Sequence, residues 1–420
     1  MANAVPKKQK SVSSKSSKKP ENKAKNTSSK KPKDTFATEN KKRNQGNVSK
    51  RASTPNVAVK GKVQAPSSIE PPIRKFLDPA TKSWIAAVNH FGKRPKGQTI
   101  SKPTEQVKSI FLSNKKQVLE LWETYTQHRL AYLLGFHLPN IARAMELFTR
   151  SNKRHLWNKL CSKNPVRVFD IGCGTGAMSA AFLQAAKATE VNLYDGSGPL
   201  LDIAKQIHTE LKTPNLRTSR KNIEDLEPQW FKSENPETVH VYLLGYVWNE
   251  LERNNPARRR LMNIITSHVE RNEKCLLFIA EPALEAMSRP TMELRDILCL
   301  AGFQALYPCP TSAGCPMLER PKDWCYTEGL WDQPDIARWI DLKLELDRQR
   351  HASTTFMFAS PACKIESDGK PIVVGRPTKE EGIERYKGFY DYLICSKTGL
   401  EKQAPTKPKS VILKGDLYSS

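Results

Sequence analysis

The residue pattern best suited to ligand chemistry is the glycine-rich segment VFDIGCGTG at residues 168–176. An apolar run leads into three glycines at alternate positions, and a predicted helix follows. Glycines let a backbone turn tightly and approach a ligand, while the first turn of a helix offers free N–H groups. A dinucleotide-binding loop spaces its glycines G-x-G-x-x-G, whereas this segment reads G-x-G-x-G after Asp170. The pattern therefore indicates a binding loop for a ligand that a carboxylate attracts.

This form of loop resembles the first motif of class I S-adenosylmethionine-dependent methyltransferases, whose ligand carries an ammonium group and no phosphate. A structural turn or a nucleotide loop is the alternative. The next predicted strand ends at Asp195, where a carboxylate can accept hydrogen bonds from ribose hydroxyls; a surface turn is the competing interpretation. Asn222 falls where such enzymes contact the adenine ring, although its neighbours could serve instead. The candidate cofactor-binding residues are Asp170, Gly172, Gly174, Gly176, Asp195 and Asn222.

A fourth predicted strand runs into the sequence GYVWNEL at residues 245–251. Ligands of open α/β sheets bind at the carboxyl ends of strands, so Asn249 and Glu250 are candidate catalytic residues. Equally, Asn249 could cap the following helix and Glu250 could favour its first turn. The Asn-Pro-Pro-Tyr or Asp-Pro-Pro-Tyr motif of amino-methylating enzymes is absent here, and no cysteine nucleophile of the pyrimidine-C5 type is evident.

A cysteine run follows the alternating region, with Pro beside both Cys309 and Cys315 and with Cys325 after Asp-Trp. The spacing C-x5-C-x9-C is not that of a zinc finger, and a fourth thiolate would come from Cys363 or Cys395. Cys395 ends a predicted strand and is favoured. Three thiolates and a distant fourth suit tetrahedral zinc or a [4Fe–4S] cluster, whereas three buried free thiols are the plain alternative.

The remaining cysteines in the α/β region are expected to be packing residues. None of the eight histidines forms a His-x3–5-His or Cys–His pair, so no role is predicted for any histidine.

Alternating strands and helices from about residue 165 must position these residues. The predicted strands are 166–170, 191–195, 239–244 and 275–280, and the predicted helices are 177–186, 200–211, 256–269 and 293–301. Such alternation requires crossovers and a mainly parallel sheet that is covered on both faces. Two strand-like runs, 354–359 and 389–395, follow the cysteines. Upstream, a helical stripe through Val118 and Trp122 and a second helix opened by Pro139 are assigned to packing.

The N-terminus differs in composition. Residues 1–62 hold 18 Lys and Arg against three acidic residues, out of a net charge of +25 for the 420-residue chain. With so little apolar surface the tail is predicted to be disordered and to bind nucleic acid through phosphates; a solubilising tail or an acidic lipid surface is the alternative. The predicted domains are a Lys-rich tail (1–75), a helical region (76–160), the methyltransferase domain (161–305) and a cysteine-cluster region with strands (306–420).

Several classes are excluded by composition. No apolar stretch reaches 18 residues, so a membrane-spanning helix is not expected. The start lacks an apolar secretory run and an Arg-rich amphipathic transit peptide. An odd number of cysteines argues against a secreted disulfide framework. We expect a cytoplasmic protein of bacterial type, or a mitochondrial one if the chain is eukaryotic.

Taken in order, the glycine loop, YVWNEL, Ala280-Glu281-Pro282 and the cysteine run resemble a methyltransferase-like family associated with the small subunit of mitochondrial ribosomes, which has bacterial members. The likeness covers about residues 105–400. It implies a class I methyltransferase fold, S-adenosylmethionine binding, a role with the small subunit and its rRNA, and a [4Fe–4S] site. Carried over by position, the cluster ligands are Cys309, Cys315, Cys325 and Cys395.

Two functions remain open at this point. One is a methyltransferase that acts on small-subunit rRNA. The other is a non-catalytic ribosome-assembly factor that keeps the fold and the cofactor site.

Overall fold

The computed structural model describes residues 79–91, 129–251, 256–330, 333–344, 346, 348–375, 392–403 and 414–418. All of them lie in the second of two compact units, 64–420. The strands of the main sheet are β1 Val166–Ile171, β2 Glu190–Asp195, β3 Leu216–Arg220, β4 Val239–Gly245, β5 Cys275–Pro282, β6 Gln304–Tyr307, β7 Thr327–Leu330 and β8 Arg350–Ala359. A small antiparallel sheet contains β9 Ile372–Gly375, β10 Tyr392–Ser396 and β11 Gly399–Gln403.

The main sheet has the order β3-β2-β1-β4-β5-β8-β6, and β7 pairs with β8. The first five strands are parallel, while β8 runs antiparallel to both β5 and β6. The chain moves outward through β1, β2 and β3 and then returns to place β4 on the other side of β1. This reversal makes a crevice at the carboxyl ends of β1 and β4, which is the ligand position in Rossmann-like sheets.

Helices cover both faces of the sheet. They are α1 Pro79–Phe91, α2 Arg129–Tyr132, α3 Leu138–His155, α4 Trp157–Lys163, α5 Ala177–Ala185, α6 Gly198–Glu210, α7 Pro256–Glu270, α8 Glu285–Leu300 and α9 Asp335–Leu344, with π-helical Leu133–His137 joining α2 to α3. On one face Phe148 and Trp157 pack with Phe182 and Phe278, all fully buried. This packing confirms that the helix opened by Pro139 contributes a core face.

The alternating pattern predicted a mixed α/β, Rossmann-like sheet, and the structure confirms it. Predicted elements in the glycine-loop half agree with the observed bounds to within about two residues. In that half β3 was missed, because it is polar (LRTSR) and none of its side chains is buried. Strands β6, β7, β9 and β11 were not predicted either. Helix α8 begins eight residues before the predicted start, because Pro290 lies inside it. Pro290 is the sixth residue of this helix, so it removes the N–H that would bond to the Ala286 carbonyl, and the helix continues through it.

The expected boundary between residues 305 and 306 falls inside β6. Strands β7 and β8, from the region expected to form a separate extension, complete the main sheet next to β5. The Cys-rich segment is therefore enclosed by chain that belongs to one sheet. The predicted disordered tail (1–75), the stripe through Val118 and Trp122, and residues 389–391 lie outside the described residues.

Among the described helices, none combines the length and the apolar character that a membrane crossing needs.

Candidate cofactor cleft and cysteine centre

The glycine loop joins β1 to α5, and its three glycines all have positive φ: +66° at Gly172, +53° at Gly174 and +71° at Gly176. A Cβ atom at Gly172 would lie 2.5 Å from Val247, and one at Gly176 would lie 2.9 Å from His208. At Gly174 the nearest atom is the Tyr132 hydroxyl, at 3.7 Å. The outer two glycines therefore permit packing of the loop against the domain, whereas a Cβ at the middle glycine would make only an ordinary van der Waals contact with Tyr132.

Asp170 is almost fully buried at the end of β1. Its Oδ2 accepts hydrogen bonds from the Ser179 backbone N–H (3.1 Å) and hydroxyl (2.6 Å). Burial raises the pKa of this carboxyl to about 7, although the bonds from Ser179 oppose the shift. A cation placed nearby would favour the ionised form, so Asp170 suits a ligand that carries an ammonium group.

Asp195, at the end of β2, holds the glycine loop. Its Oδ2 accepts from the Gly174 N–H and its Oδ1 from the Ser197 N–H, both at 2.7 Å. Burial raises its pKa, and these two bonds lower it. The amide oxygen of exposed Asn222 lies 2.8 Å from where a Cβ of Gly196 would stand, so Asn222 flanks the turn after Asp195. The structure thus brings Asp195, Asn222 and the loop together at the carboxyl ends of the strands.

A cleft opens at the reversal point of the sheet. It is lined by Tyr132, Asn140, Ala144, Asp170, Gly172, Cys173, Thr175, Ala177, Met178, Gly245, Tyr246 and Ala280. Tyr246 has φ of +65°, a rare conformation for a bulky residue and one that is frequent at functional sites. Its N–H donates to the Ala280 carbonyl (2.7 Å), which fixes the end of β4 against β5.

Sequence reasoning missed the upstream wall of this cleft. Tyr132 and Asn140 come from helices that were assigned to packing alone. His137, in the π-helical segment, is fully buried and its Nδ1 lies 2.8 Å from the Thr175 hydroxyl of the glycine loop. π-Helical turns occur often at functional sites, but the sequence carries no pattern that marks one.

Of the two candidate catalytic residues, Asn249 is used for packing. Its side-chain amide donates to the Met287 carbonyl (3.0 Å) and the Thr291 hydroxyl (3.2 Å), both in α8. The segment Trp248–Glu250 is a 3-10 helix, and the Trp248 N–H donates to Glu281 Oε1 (2.8 Å). Asn249 therefore ties the end of β4 to α8, which is a structural role that the sequence left open.

Glu250 is exposed. The charges of the nearby acids Glu281 and Asp195 raise the pKa of its carboxyl. Glu281 is itself buried at the end of β5, and burial raises its pKa to about 7. Carboxyl groups with pKa values near neutrality at one sheet edge are typical of proton-transfer and ligand-binding sites.

Three of the four candidate metal ligands, Cys309, Cys315 and Cys325, come from one loop, and the fourth, Cys395, comes from β10. Burial raises the pKa of the Cys325 thiol, and so do Cys309, Cys315 and Cys395. Burial also raises the pKa of Cys395 to about 12 and that of Cys315 to about 11, each with a further contribution from neighbouring members of the set. Every pair among the four thus interacts, and all four lie against the same core.

Helix α8 holds the cysteine loop, which we define as residues 309–325. The guanidinium of Arg295, which is 2% exposed, donates to the carbonyls of Thr311 and Ala313. Asp296 accepts from the Cys315 N–H (3.0 Å), and Arg289 donates to the carbonyls of Leu318 (3.0 Å), Arg320 (2.9 Å) and Asp323 (2.8 Å). Charged side chains on one helix therefore satisfy the backbone of a loop that has little secondary structure.

Cys395 and Cys363 differ in position. Cys395 pairs with Ile372 in the small sheet and packs in the same hydrophobic core cluster as the loop cysteines. Cys363 belongs to a different core cluster, and its thiol donates to the Cys275 carbonyl (3.4 Å). Within the described residues, no three cysteine sulfur atoms lie within 4.8 Å of one another. A tetrahedral zinc site would place sulfur atoms about 3.8 Å apart.

One family model matches the chain. It is described as "Mitochondrial small ribosomal subunit Rsm22", and it matches residues 153–338. That region contains the glycine loop, Asp195, Asn249, Glu250 and the first three cysteines of the set, and it ends before Cys395. No curated protein gives a significant match.

Solved structures with similar regions include three proteins of low identity. An rRNA methylase from Streptococcus thermophilus is 10% identical, with 49% of this chain and 94% of that chain covered and a TM-score of 0.27. TYW2 from M. jannaschii in complex with AdoMet is 11% identical (53% and 76% covered, TM-score 0.28), and YcgJ from Bacillus subtilis is 12% identical (54% and 100%, TM-score 0.30). At these TM-scores the similarities add nothing to the assignment of fold or function. The family match confirms the resemblance inferred from the motifs: residues 153–338 of this chain resemble the Rsm22 family of the mitochondrial small ribosomal subunit.

Proposed function

We propose that this protein is an S-adenosylmethionine-dependent methyltransferase-like protein that acts on the small ribosomal subunit and its rRNA. The observation that carries the proposal is the glycine loop held by Asp195 at the reversal point of a Rossmann-like sheet, inside the region that matches the Rsm22 model. The cofactor supplies an electrophilic methyl group when it is bound.

The residues at the cleft fit such a ligand. At Gly174 the absence of a side chain lets a ligand approach the loop backbone beside Tyr132, and Asp170, which lines the cleft, offers a carboxyl group for an ammonium ion. Each oxygen of Asp195 has one lone pair left after its backbone bond, so it can also accept from ribose hydroxyls. Glu250 is the acid best placed to hold a proton at the substrate side, because it follows β4 and the nearby acids Glu281 and Asp195 raise its pKa.

A second candidate function is a non-catalytic assembly factor. It is favoured by Asn249, whose amide is bonded to α8 and so is not available to position a base. Both functions share cofactor binding, so they differ only in methyl transfer.

The test compares Asp195→Asn with Asp202→Asn, a matched change at an exposed aspartate on α6. Asp195→Asn removes charged acceptors worth about 1.5–3 kcal/mol each, which predicts roughly 10- to 100-fold weaker binding of labelled cofactor. Transfer of the labelled methyl group to immature small subunits by wild type and Asp202→Asn, and not by Asp195→Asn, supports the enzyme. Binding without transfer supports the assembly factor. Equal binding by both variants contradicts the shared proposal.

We further propose that Cys309, Cys315, Cys325 and Cys395 hold a [4Fe–4S] cluster rather than zinc. The support is the donor set itself, with four mutually interacting thiols and sulfur spacing wider than zinc requires. The cationic Arg295 beside Cys309, with an unpartnered buried Nε, would offset the negative charge of four thiolates.

Iron and acid-labile sulfide per chain after anaerobic purification test this proposal. Cys395→Ser should lose both, while Cys363→Ser, a buried cysteine in the other core cluster, should keep them. One zinc and no sulfide would replace the cluster with a zinc centre, and iron retained in Cys395→Ser would remove Cys395 from the set.

The Lys-rich segment 1–62, outside the described residues, is proposed to bind rRNA. Its deletion should flatten the dependence of RNA binding on salt, because each neutralised phosphate contributes a slope of about 0.7–0.9. An unchanged slope would contradict RNA contact. The compartment follows from the ribosome that is bound: a mitochondrion in a eukaryote, as the family description states for its members, or the cytoplasm of a bacterium.

A further inference from the structure

A second cluster of metal-ligating side chains lies at the amino ends of β4 and β5, whereas the cleft lies at the carboxyl ends of the strands. His240 is near the start of β4, His268 is near the end of α7, and Glu273 precedes β5. The two imidazole centroids are 4.5 Å apart, and one ligand atom from each of the three residues lies within 4.8 Å of the others. Neither the cofactor cleft nor the cysteine centre uses these residues.

His240 is the unexplained member. It is 1% exposed, and neither of its ring nitrogens has a hydrogen-bond partner among the described residues. Its ring stacks on Phe169, with centroids 6.2 Å apart. The backbone of Lys274 is near the ring, but it does not meet the geometry of a hydrogen bond to either ring nitrogen. Buried imidazoles are normally hydrogen-bonded or bound to a metal, so this side chain points to a ligand.

The other two members are already oriented. The Tyr242 hydroxyl lies 2.7 Å from His268 Nε2, and His268 Nδ1 lies 2.5 Å from Glu273 Oε2. Arg271 donates to both carboxylate oxygens of Glu273 (2.9 and 2.8 Å), and its side chain is 28% exposed. Arg271 thus supplies a counter-charge that can move into solvent.

We propose that His240, His268 and Glu273 bind a divalent metal ion of the zinc class, at a site separate from the cysteine centre. Two imidazoles and one carboxylate are a recognised zinc donor set with a fourth position left for water. On binding, His268 changes tautomer: Nδ1 loses its proton and Nε2 gains one. The Nε2–H then donates a hydrogen bond to the Tyr242 oxygen, and Nδ1 is free to coordinate the ion. The ion takes the place of the Arg271 guanidinium as the counter-charge of Glu273.

The protonation states agree with this assignment. Burial lowers the pKa of His240 to about 4 and that of His268 to about 3, so both rings are neutral at pH 7. Arg271 and His268 outweigh burial and lower the pKa of Glu273, which is therefore ionised. Neutral imidazole and ionised carboxylate are the forms that coordinate metals.

The test titrates the full-length, iron-loaded protein with Zn²⁺ and follows thermal unfolding, and then repeats the titration with Co²⁺ and follows visible absorption. Wild type should gain Tm with Zn²⁺ and show nitrogen- and oxygen-ligated Co²⁺ bands without thiolate charge transfer. His240→Gln breaks no hydrogen bond, so its metal-free Tm should match that of wild type while its metal affinity falls at least about tenfold. Arg271→Gln should bind more tightly, because it removes the competing cation.

Two matched variants separate this site from other effects. His351→Gln changes another buried histidine whose pKa is lowered, outside the cluster, and should leave metal binding unchanged. Cys309→Ser changes the cysteine centre and should also keep the zinc-dependent gain in Tm. Equal affinity in wild type and His240→Gln, or loss of the gain in Cys309→Ser, overturns the proposal. Failure here leaves the cofactor and cluster proposals untouched, because neither uses these residues.

Discussion

The cofactor cleft and the cysteine centre lie in one domain, but different parts of the chain build them. At the cleft, β1, the glycine loop and α5 are continuous in sequence, and backbone conformation shapes the site. At the cysteine centre, a loop with little regular structure is held from outside by side chains of α8, and its fourth member comes from a second sheet. The comparison shows that a site built from continuous sequence depends on φ angles and on the space around each Cβ position. A site built from distant segments depends on buried charged side chains that hold those segments together.

Replacing Arg295 with Met should have the largest effect, at the cysteine centre. It leaves the carbonyls of Thr311 and Ala313 without their donor and Asp296 without its ion-pair partner, which predicts a loss of about 3–5 kcal/mol in the free energy of unfolding and loss of iron from the proposed cluster. Urea unfolding and iron content check it, with cofactor binding as the control. Retained iron in this variant would show that the cysteine loop keeps its conformation without the hydrogen bonds from Arg295.

Asp170→Asn should change the pH dependence of stability at the cleft. The folded-state pKa of Asp170 is raised to about 7, so wild type loses stability as pH rises from about 4 to 7, by about 1.4 kcal/mol per unit, because the unfolded chain ionises first. The amide keeps an acceptor for Ser179 and does not ionise. Urea unfolding from pH 4 to 8 should therefore give a difference that favours the variant and grows with pH. A constant difference would mean that Asp170 is ionised throughout.

Gly172→Ala and Gly174→Ala separate packing from ligand space within the glycine loop. At Gly172 a Cβ meets Val247 at 2.5 Å in a left-handed conformation, so we expect about 2–4 kcal/mol of destabilisation. At Gly174 only the conformational cost of about 1 kcal/mol applies, and cofactor binding should weaken. Chemical unfolding and equilibrium dialysis measure the two effects. Equal destabilisation would refute the distinction.

Asn249→Ala and Glu250→Gln should give the smallest changes in stability. The first should change unfolding alone, and the second should change the pH profile of methyl transfer. Asn249→Ala removes two buried hydrogen bonds to α8 and should cost about 1–2 kcal/mol without changing the pH profile of methyl transfer. Glu250→Gln should leave unfolding nearly unchanged, because the residue is exposed, and should abolish the limb of the profile that reports this carboxyl. A profile shifted by Asn249→Ala would move the proton-transfer role away from Glu250.

Prediction from sequence succeeded where neighbours along the chain decide the structure. Strand β1, the glycine loop and Asp195 were expected close to where they lie, because apolar runs, glycine spacing and strand ends are local patterns. It was wrong about the start of α8, because Pro290 reads as a helix break and is tolerated in the second turn. It missed β3, whose polar residues lie at an edge of the sheet, and it kept β6 to β8 apart from the sheet that they complete.

The sequence by itself determined the Rossmann-like alternation, the glycine loop and the set of cysteines from which a metal centre could be built. Only the tertiary structure decided which residues share a site: Cys395 rather than Cys363 with the loop cysteines, Asn249 with α8 rather than the cleft, Tyr132 and Tyr246 in the cleft wall, and His240 beside His268. The physical reason is the distance along the chain over which each interaction acts. Backbone propensity and glycine conformation act within a few residues, whereas burial, charge and hydrogen bonding depend on chain segments that meet only when the sheet closes.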